Sequence, residues 1–335
     1  MPRIIGSLML CLVVAVGMAG NAAAAPVDPA IPFSTSNQNP LVVVYGLPPA
    51  GAATVLTSGK TAVELRADIA SVCSRDDRSE ESILLDGESY RFTLVLQHGL
   101  GEGFEVGLEI PYAMHREGFL DGFISDWHDF FQLPQGERDD LPNDRLAYRY
   151  VKDGRTEVEL DDETEGLGDL RLTGAWQLWR RGSDEPQAVA LRASLKLPTG
   201  DEHHLLGSGS TDVALWLSGS QAFRGGSLAL FGAAGALLMS DGDVLADQQR
   251  HVAAFGTLGG GWRPLPRLAL KAQVDGHTSC YRDSDLSELS DSLQLAFGGT
   301  IGLTETLTLD LAVAEDIAVD TAPDIVFHLA IRQTF

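Results

Sequence analysis

The sequence predicts an all-β fold, a transmembrane antiparallel up-and-down β-barrel of about twelve strands, and three observations predict it. The last twelve residues, 324–335, alternate strictly, with Ile325, Phe327, Leu329 and Ile331 on one face and Val326, His328, Ala330 and Arg332 on the other. The chain then stops on Phe335, as a closing strand with lipid on one face and a watery lumen on the other would. Of the 335 residues 44% are hydrophobic, yet beyond the amino terminus no run approaches the roughly 18 apolar residues of a membrane helix. Finally, short and long connections alternate along the chain, as they do between the two ends of a membrane barrel.

The elements follow in order. Residues 1–24 read as a secretory signal peptide: Arg3, an apolar core over 4–19, then small residues for cleavage between 22 and 24. Cys11 sits inside the apolar core, which argues against a lipoprotein anchor. Residues 25–59 are rich in Pro, Asn, Gly and Ser and read as a plug or a tail. The apolar run 41–45 would be costly to leave in water, so docking in the lumen is expected.

The barrel spans 60–335. In the first strand, 61–72, Val63, Leu65, Ala67 and Ile69 oppose Glu64, Arg66 and Asp68; strands at 88–100 and 104–112 follow. Further strands are predicted at 168–180, 187–197, 212–223, 227–239, 251–263, 268–281, 292–303 and 306–317, before the terminal one. The short connections are 98–103, 181–186, 224–226, 263–267 and 304–306. The long ones are 73–87, 113–166, 198–211, 240–250, 282–291 and 314–323. The two sets alternate without exception, and a soluble sandwich has no reason to sort loop length by side. Trp179, Phe223, Trp262 and Phe335 fall near the periplasmic rim and Tyr90, Tyr112 and Tyr281 near the outer one, as in interfacial girdles.

The formal charge is −23, and loss of Arg3 with the signal peptide makes it −24. Such a surface excludes nucleic acid as a partner. The mature chain has two cysteines, Cys73 and Cys280, predicted about four strands apart, roughly 20 Å. A disulfide needs Cα atoms within about 7 Å, so pairing requires the loops to fold over the mouth.

Residues predicted to face the lumen are heavily charged: Glu64, Arg66, Asp68, Arg91, Glu105, Glu109, Asp169, Arg171, Arg192, Lys196, Lys271, Asp275, Asp310, His328 and Arg332. Two readings stand side by side, a salt-bridged structural interior and a selective solute path. In the long second loop, Phe119, Phe123, Ile124, Trp127, Phe130 and Phe131 recur at helical spacing beside His128. This predicts a short amphipathic helix at the mouth, with Phe119, Phe123, Trp127, His128 and Phe131 as ligand-contact candidates. The acidic run over 137–165 lacks the spacing of a calcium loop and reads as solvated. His203-His204 lacks metal-site spacing. Asp275, His277 and Ser279 share one strand face, but that face is luminal, so no catalytic residue is assigned. No cofactor or metal is implied.

Several runs carry a resemblance: Ile31-Pro-Phe-Ser-Thr-Ser-Asn-Gln-Asn-Pro40, the aromatic run 118–131, Glu165-Gly-Leu-Gly-Asp-Leu170, and Leu197-Pro-Thr-Gly-Asp201 with Gly207-Ser-Gly. Together they resemble domain-of-unknown-function family 3187, Gram-negative outer-membrane proteins. More distantly the chain is similar to outer-membrane barrels associated with aromatic-compound degradation. The resemblance implies the outer membrane and a barrel, with no activity attached. The expectation is a passive channel for a small apolar or amphiphilic solute. The alternative is a structural or lipopolysaccharide-binding barrel without a path. The expected partners are outer-membrane lipid, lipopolysaccharide, a small solute, and the barrel assembly machinery, which would read Phe335.

Overall fold

The computed structural model describes residues 26–120, 122, 142, 144–317 and 321–335. The predicted signal peptide lies outside the described residues. Among those described, one antiparallel sheet contains 15 strands. They are β1 (Thr61–Asp77), β2 (Glu81–Gly101), β3 (Phe104–Arg116), β4 (Ala147–Lys152), β5 (Arg155–Leu160), β6 (Thr164–Leu167), β7 (Arg171–Arg181) and β8 (Gln187–Lys196), followed by β9 (Asp212–Phe223), β10 (Leu228–Met239), β11 (Val252–Leu265), β12 (Leu268–His277), β13 (Ser292–Gly302), β14 (Leu307–Asp316) and β15 (Ile325–Thr334).

Pairing of β1 with β15, from Ala62↔Thr334 to Ser71↔Ile325, closes the sheet on itself. The wall is a barrel of 12 strands, β1–β3 and β7–β15. The β4–β5 hairpin extends β2 beyond the wall, and β6 continues the β3 ladder. The faces fall as the alternation predicts. Along β1, Glu64, Arg66 and Asp68 are buried inside, while Val63, Leu65 and Ala67 are half-buried outside. Leu215, Leu230, Leu258 and Leu270 are exposed on the outer surface, the apolar coat that lipid requires. This is the architecture of a membrane-spanning β-barrel.

One predicted connection is wrong. The β1–β2 ladder runs on to Asp77↔Ser82, so the expected loop 73–87 shrinks to 78–80. The polar run Arg75-Asp-Asp-Arg78 reads as a loop, but the pairing is set by contacts remote in sequence. At Gly87 the β2 strand passes from β3 to β4, burying Ile83 and Leu85 against the mouth. Cys73 therefore lies in β1, and Cys73 and Cys280 are both buried thiols. The second loop is likewise not a single excursion, since it contains β4–β6. Its predicted helix lies largely outside the described residues.

Residues 26–59 run through the lumen. They enter at the short-turn end, where Val27 N donates to Pro266 O at 2.8 Å. They then climb beside β12 with alternate residues engaged on both chains. Lys271 Nζ donates to Ile31 O, Phe33 N to Gln273 Oε1, and Thr35 Oγ1 to Asp275 Oδ2; Tyr281 OH donates to Leu41 O. An extended segment has the same two-residue repeat as a strand, which lets it track one. After a turn near Asn39, the chain descends the opposite wall. Gly46 N donates to Asp212, Trp216 Nε1 to Ala50 O, Arg192 Nε to Ala52 O, and Leu56 N to Glu105. Gly59 N reaches Gly99 O at the short-turn end, where β1 begins.

Two wall glycines make room for this segment. A Cβ on Gly261 would lie 2.1 Å from Pro29 O, and one on Gly99 would lie 2.4 Å from Thr57 O. At the loop end the apex of the segment completes a hydrophobic cluster. Leu41, Val44 and Tyr45 pack with Ile83, Leu85, Tyr148, Tyr150, Leu237 and Leu286. Full burial of side chains this large stabilises by roughly 1.5–3 kcal/mol each, so the cluster is a firm seal.

Candidate functional site: the charged lumen

The lumen holds charges in pairs, within one strand, between adjacent strands or across an intervening one. Glu64 accepts from Arg66 at 2.9 Å and from Arg332 at 3.3 Å. Arg171 meets Glu109 at 3.1 Å, Arg192 meets Glu105 at 3.5 Å, and Lys271 meets Asp310 at 3.5 Å. Asp68 lies 2.6 Å from His328 Nδ1. Lys271 also sits 4.0 Å over the Phe33 ring. Removing one partner from a buried pair leaves an uncompensated charge, which is why these sets are hydrogen-bonded on several sides.

The most densely bonded pair is Lys196–Asp169, at 2.5 Å. Asp169 also accepts from the backbone N–H groups of Thr199, Gly200 and Ser208. Lys196 donates in addition to Ser208 Oγ and Ser210 O, with Asp212 at 3.2 Å. Asp212 in turn holds Gly46 N of the luminal segment. Gly-Leu-Gly-Asp supplies Asp169, and Leu-Pro-Thr-Gly-Asp and Gly-Ser-Gly supply the amides around it. These motifs thus form a buried clamp that ties the third outward loop to the wall.

Between the segment and the wall, toward the short-turn end, lies a cavity of about 280 Å³. Ile31, Pro48 and Pro49 give it an apolar side, while Glu64, Arg171 and Arg332 are among its charged groups. Gln97 Oε1, Arg171 Nε, Thr300 Oγ1 and Asp310 Oδ1, all from residues lining it, are buried without a protein partner. A cavity of this size with such polar groups has the room and the partners that water needs. Farther in, a chamber of about 30 Å³ is lined by Arg91, Asp68, Asp169 and Lys196. Arg66, Glu109 and Arg171 line both spaces and partition them.

The remaining sequence candidates fall elsewhere. Asp275 accepts from Thr35 and Thr257, His277 Nε2 lies 3.0 Å from Asn37 Nδ2, and Ser279 Oγ donates to Leu289 O. Each is held by its own partner, and no hydrogen bond links the three. His204 meets Asp201 at an exposed position. Among the described residues no three His, Cys, Asp or Glu side chains gather to hold a metal.

Phe123, Trp127, His128 and Phe131 lie outside the described residues. The root of that loop turns over the outer wall. Glu88, on the outer face of β2, accepts from Phe119 N at 2.8 Å and from Leu120 N. Leu120 packs with Ile325, Ile69, Val313 and Phe327 on the barrel exterior, and Phe119 is 70% exposed. Trp216 was missed by the sequence reading. It projects into the lumen and holds Ala50, and its place on the polar face of an alternating strand is the signal that could have found it.

The family described as "Protein of unknown function (DUF3187)" matches residues 7–335. The chain belongs to this family. No curated protein matches its sequence. Among solved structures, the COG4313 outer membrane channel from Pseudomonas putida F1 superposes with a TM-score of 0.57 at 15% identity, covering 87% of this chain and 100% of that one. The Pseudomonas putida toluene transporter TodX is also similar, at a TM-score of 0.36 and 8% identity over 94% of this chain and 96% of that one. At these identities the likeness concerns the fold, which the family shares with the COG4313 channel.

Proposed function

We propose that the protein is a passive outer-membrane channel for small amphiphilic solutes, closed in this conformation by residues 26–59. The observation that carries this reading is the cavity of about 280 Å³ left between the segment and the wall. Its mixed lining, prolines on one side and paired charges on the other, suits a solute with an apolar body and a polar group. A purely apolar solute would have to strip water from buried ions, which narrows the sequence expectation of an apolar or amphiphilic solute to its second half. The COG4313 fold supports the reading, since that protein is a channel. Catalysis has no support in the separate holding of Asp275, His277 and Ser279.

The reading brings its partners with it. Lipid would coat the leucine-rich exterior, and Phe335, 64% exposed beside the start of β1, is accessible to the assembly machinery. The rival reading, a structural or lipopolysaccharide-binding barrel, draws support from the sealed loop end. Single-channel recording of the refolded protein, whole and lacking 26–59, separates them. Small or intermittent currents that become large and steady on deletion support the channel. Silence in both, with heat-modifiable electrophoretic mobility intact, supports the structural barrel.

A further inference from the structure

Every carboxylate bordering the inner chamber already has a partner. Asp68 is held by His328, Glu109 by Arg171, and Asp169 by Lys196 and three backbone amides. Of the cations there, Arg66 is held by Glu64 and Lys196 by Asp169 and Asp212. Arg91 differs. Among the described residues it donates no hydrogen bond and forms no ion pair, although Asp68 stands directly opposite it on β1. Its guanidinium carries five donors in a planar fork and cannot shed its charge. Arg171, on the partition, leaves its Nε equally unmatched. The chamber thus has spare donors, no spare carboxylate, and room for about 30 Å³.

We propose that Arg91, with Arg171 at the partition, forms a binding site for the carboxylate of a small organic acid. A carboxylate is planar and accepts two parallel N–H bonds, which is the geometry the free fork offers. Its two oxygens are about the size of the chamber, and the apolar body of the acid would extend past the partition toward the prolines of the larger cavity. Asn37 and Gln38 line the same chamber, so an acid bound there would touch both the wall and the luminal segment. The route by which the acid arrives rests on the channel reading; the site itself does not.

The test is binding of benzoate to the full-length protein in detergent micelles, followed by ligand-observed NMR, with benzamide as the uncharged isostere. Wild type should bind benzoate saturably and bind benzamide at least roughly tenfold more weakly, the difference expected of charge-assisted bonds. Arg91→Gln should lose benzoate by a similar factor and Arg91→Lys should recover part of it. Acetate should displace benzoate more effectively than phosphate at equal ionic strength. Equal binding of benzoate and benzamide to the wild type would overturn the proposal even if Arg91→Gln did not fold. So would binding by Arg91→Gln that matches wild type, or displacement by phosphate as strong as by acetate. Because binding is read without current, a silent bilayer with bound benzoate defeats only the channel reading, and currents without benzoate binding defeat only this site.

Discussion

Lys196 meets four groups in the lumen at once, Asp169, Asp212, Ser208 and Ser210. Replacing it by Met leaves two buried carboxylates facing each other without a cation. The expected loss is about 3–5 kcal/mol, read as a lower urea midpoint for the heat-modifiable band, and an unchanged midpoint would refute the clamp. Cys280 makes a gentler prediction. Burial pushes its thiol up to about 12 from an ordinary 9.0. Folding therefore favours the neutral thiol. That contribution is fully present below pH 9.0 and is lost as pH rises toward about 12. Native protein at neutral pH should resist iodoacetamide at this position, with labelling appearing only on unfolding. Rapid native labelling would contradict the burial.

The decisive element is the luminal segment. It is fixed by alternate bonds to β12 on the way up and to β7–β9 and β3 on the way down, each worth about 0.5–1.5 kcal/mol net. Many modest bonds along an extended chain make a part that can be loosened locally without unfolding the wall. Gly261 is the place to test this, because any side chain there would occupy the position of Pro29. Gly261→Leu should keep the barrel folded and raise single-channel conductance above wild type. Wild-type conductance would mean that the ascending limb does not restrict the path. The composition of 25–59 left plug and tail both open, and the apolar run 41–45 favoured docking. Its route was not legible, because pairing with β12 depends on partners some 240 residues away, such as Thr35 with Asp275.

Across the whole molecule, closure is shared between the packed segment and the hydrophobic seal at the loop end. The second loop contributes Tyr148 and Tyr150 to that seal, whereas the root of its aromatic run is anchored outside the wall by Glu88 and Leu120. Deleting 118–131 should therefore leave conductance near the wild-type value, while deleting 26–59 should raise it; the reverse order would return the gate to the loop.

Strand number, the face that each strand residue takes and most of the connections could be read from the sequence. They follow from a two-residue alternation and from turn chemistry, which are local and can be read residue by residue. Which charge meets which, where Asp169 finds its amides, and that Arg91 is left over were decided by tertiary structure alone. So were the extra length of β1 and β2 and the course of 26–59. The physical reason is the same in each case. Alternation fixes the face a side chain takes, but its partner is set by barrel closure and strand register, which bring together residues far apart in the chain.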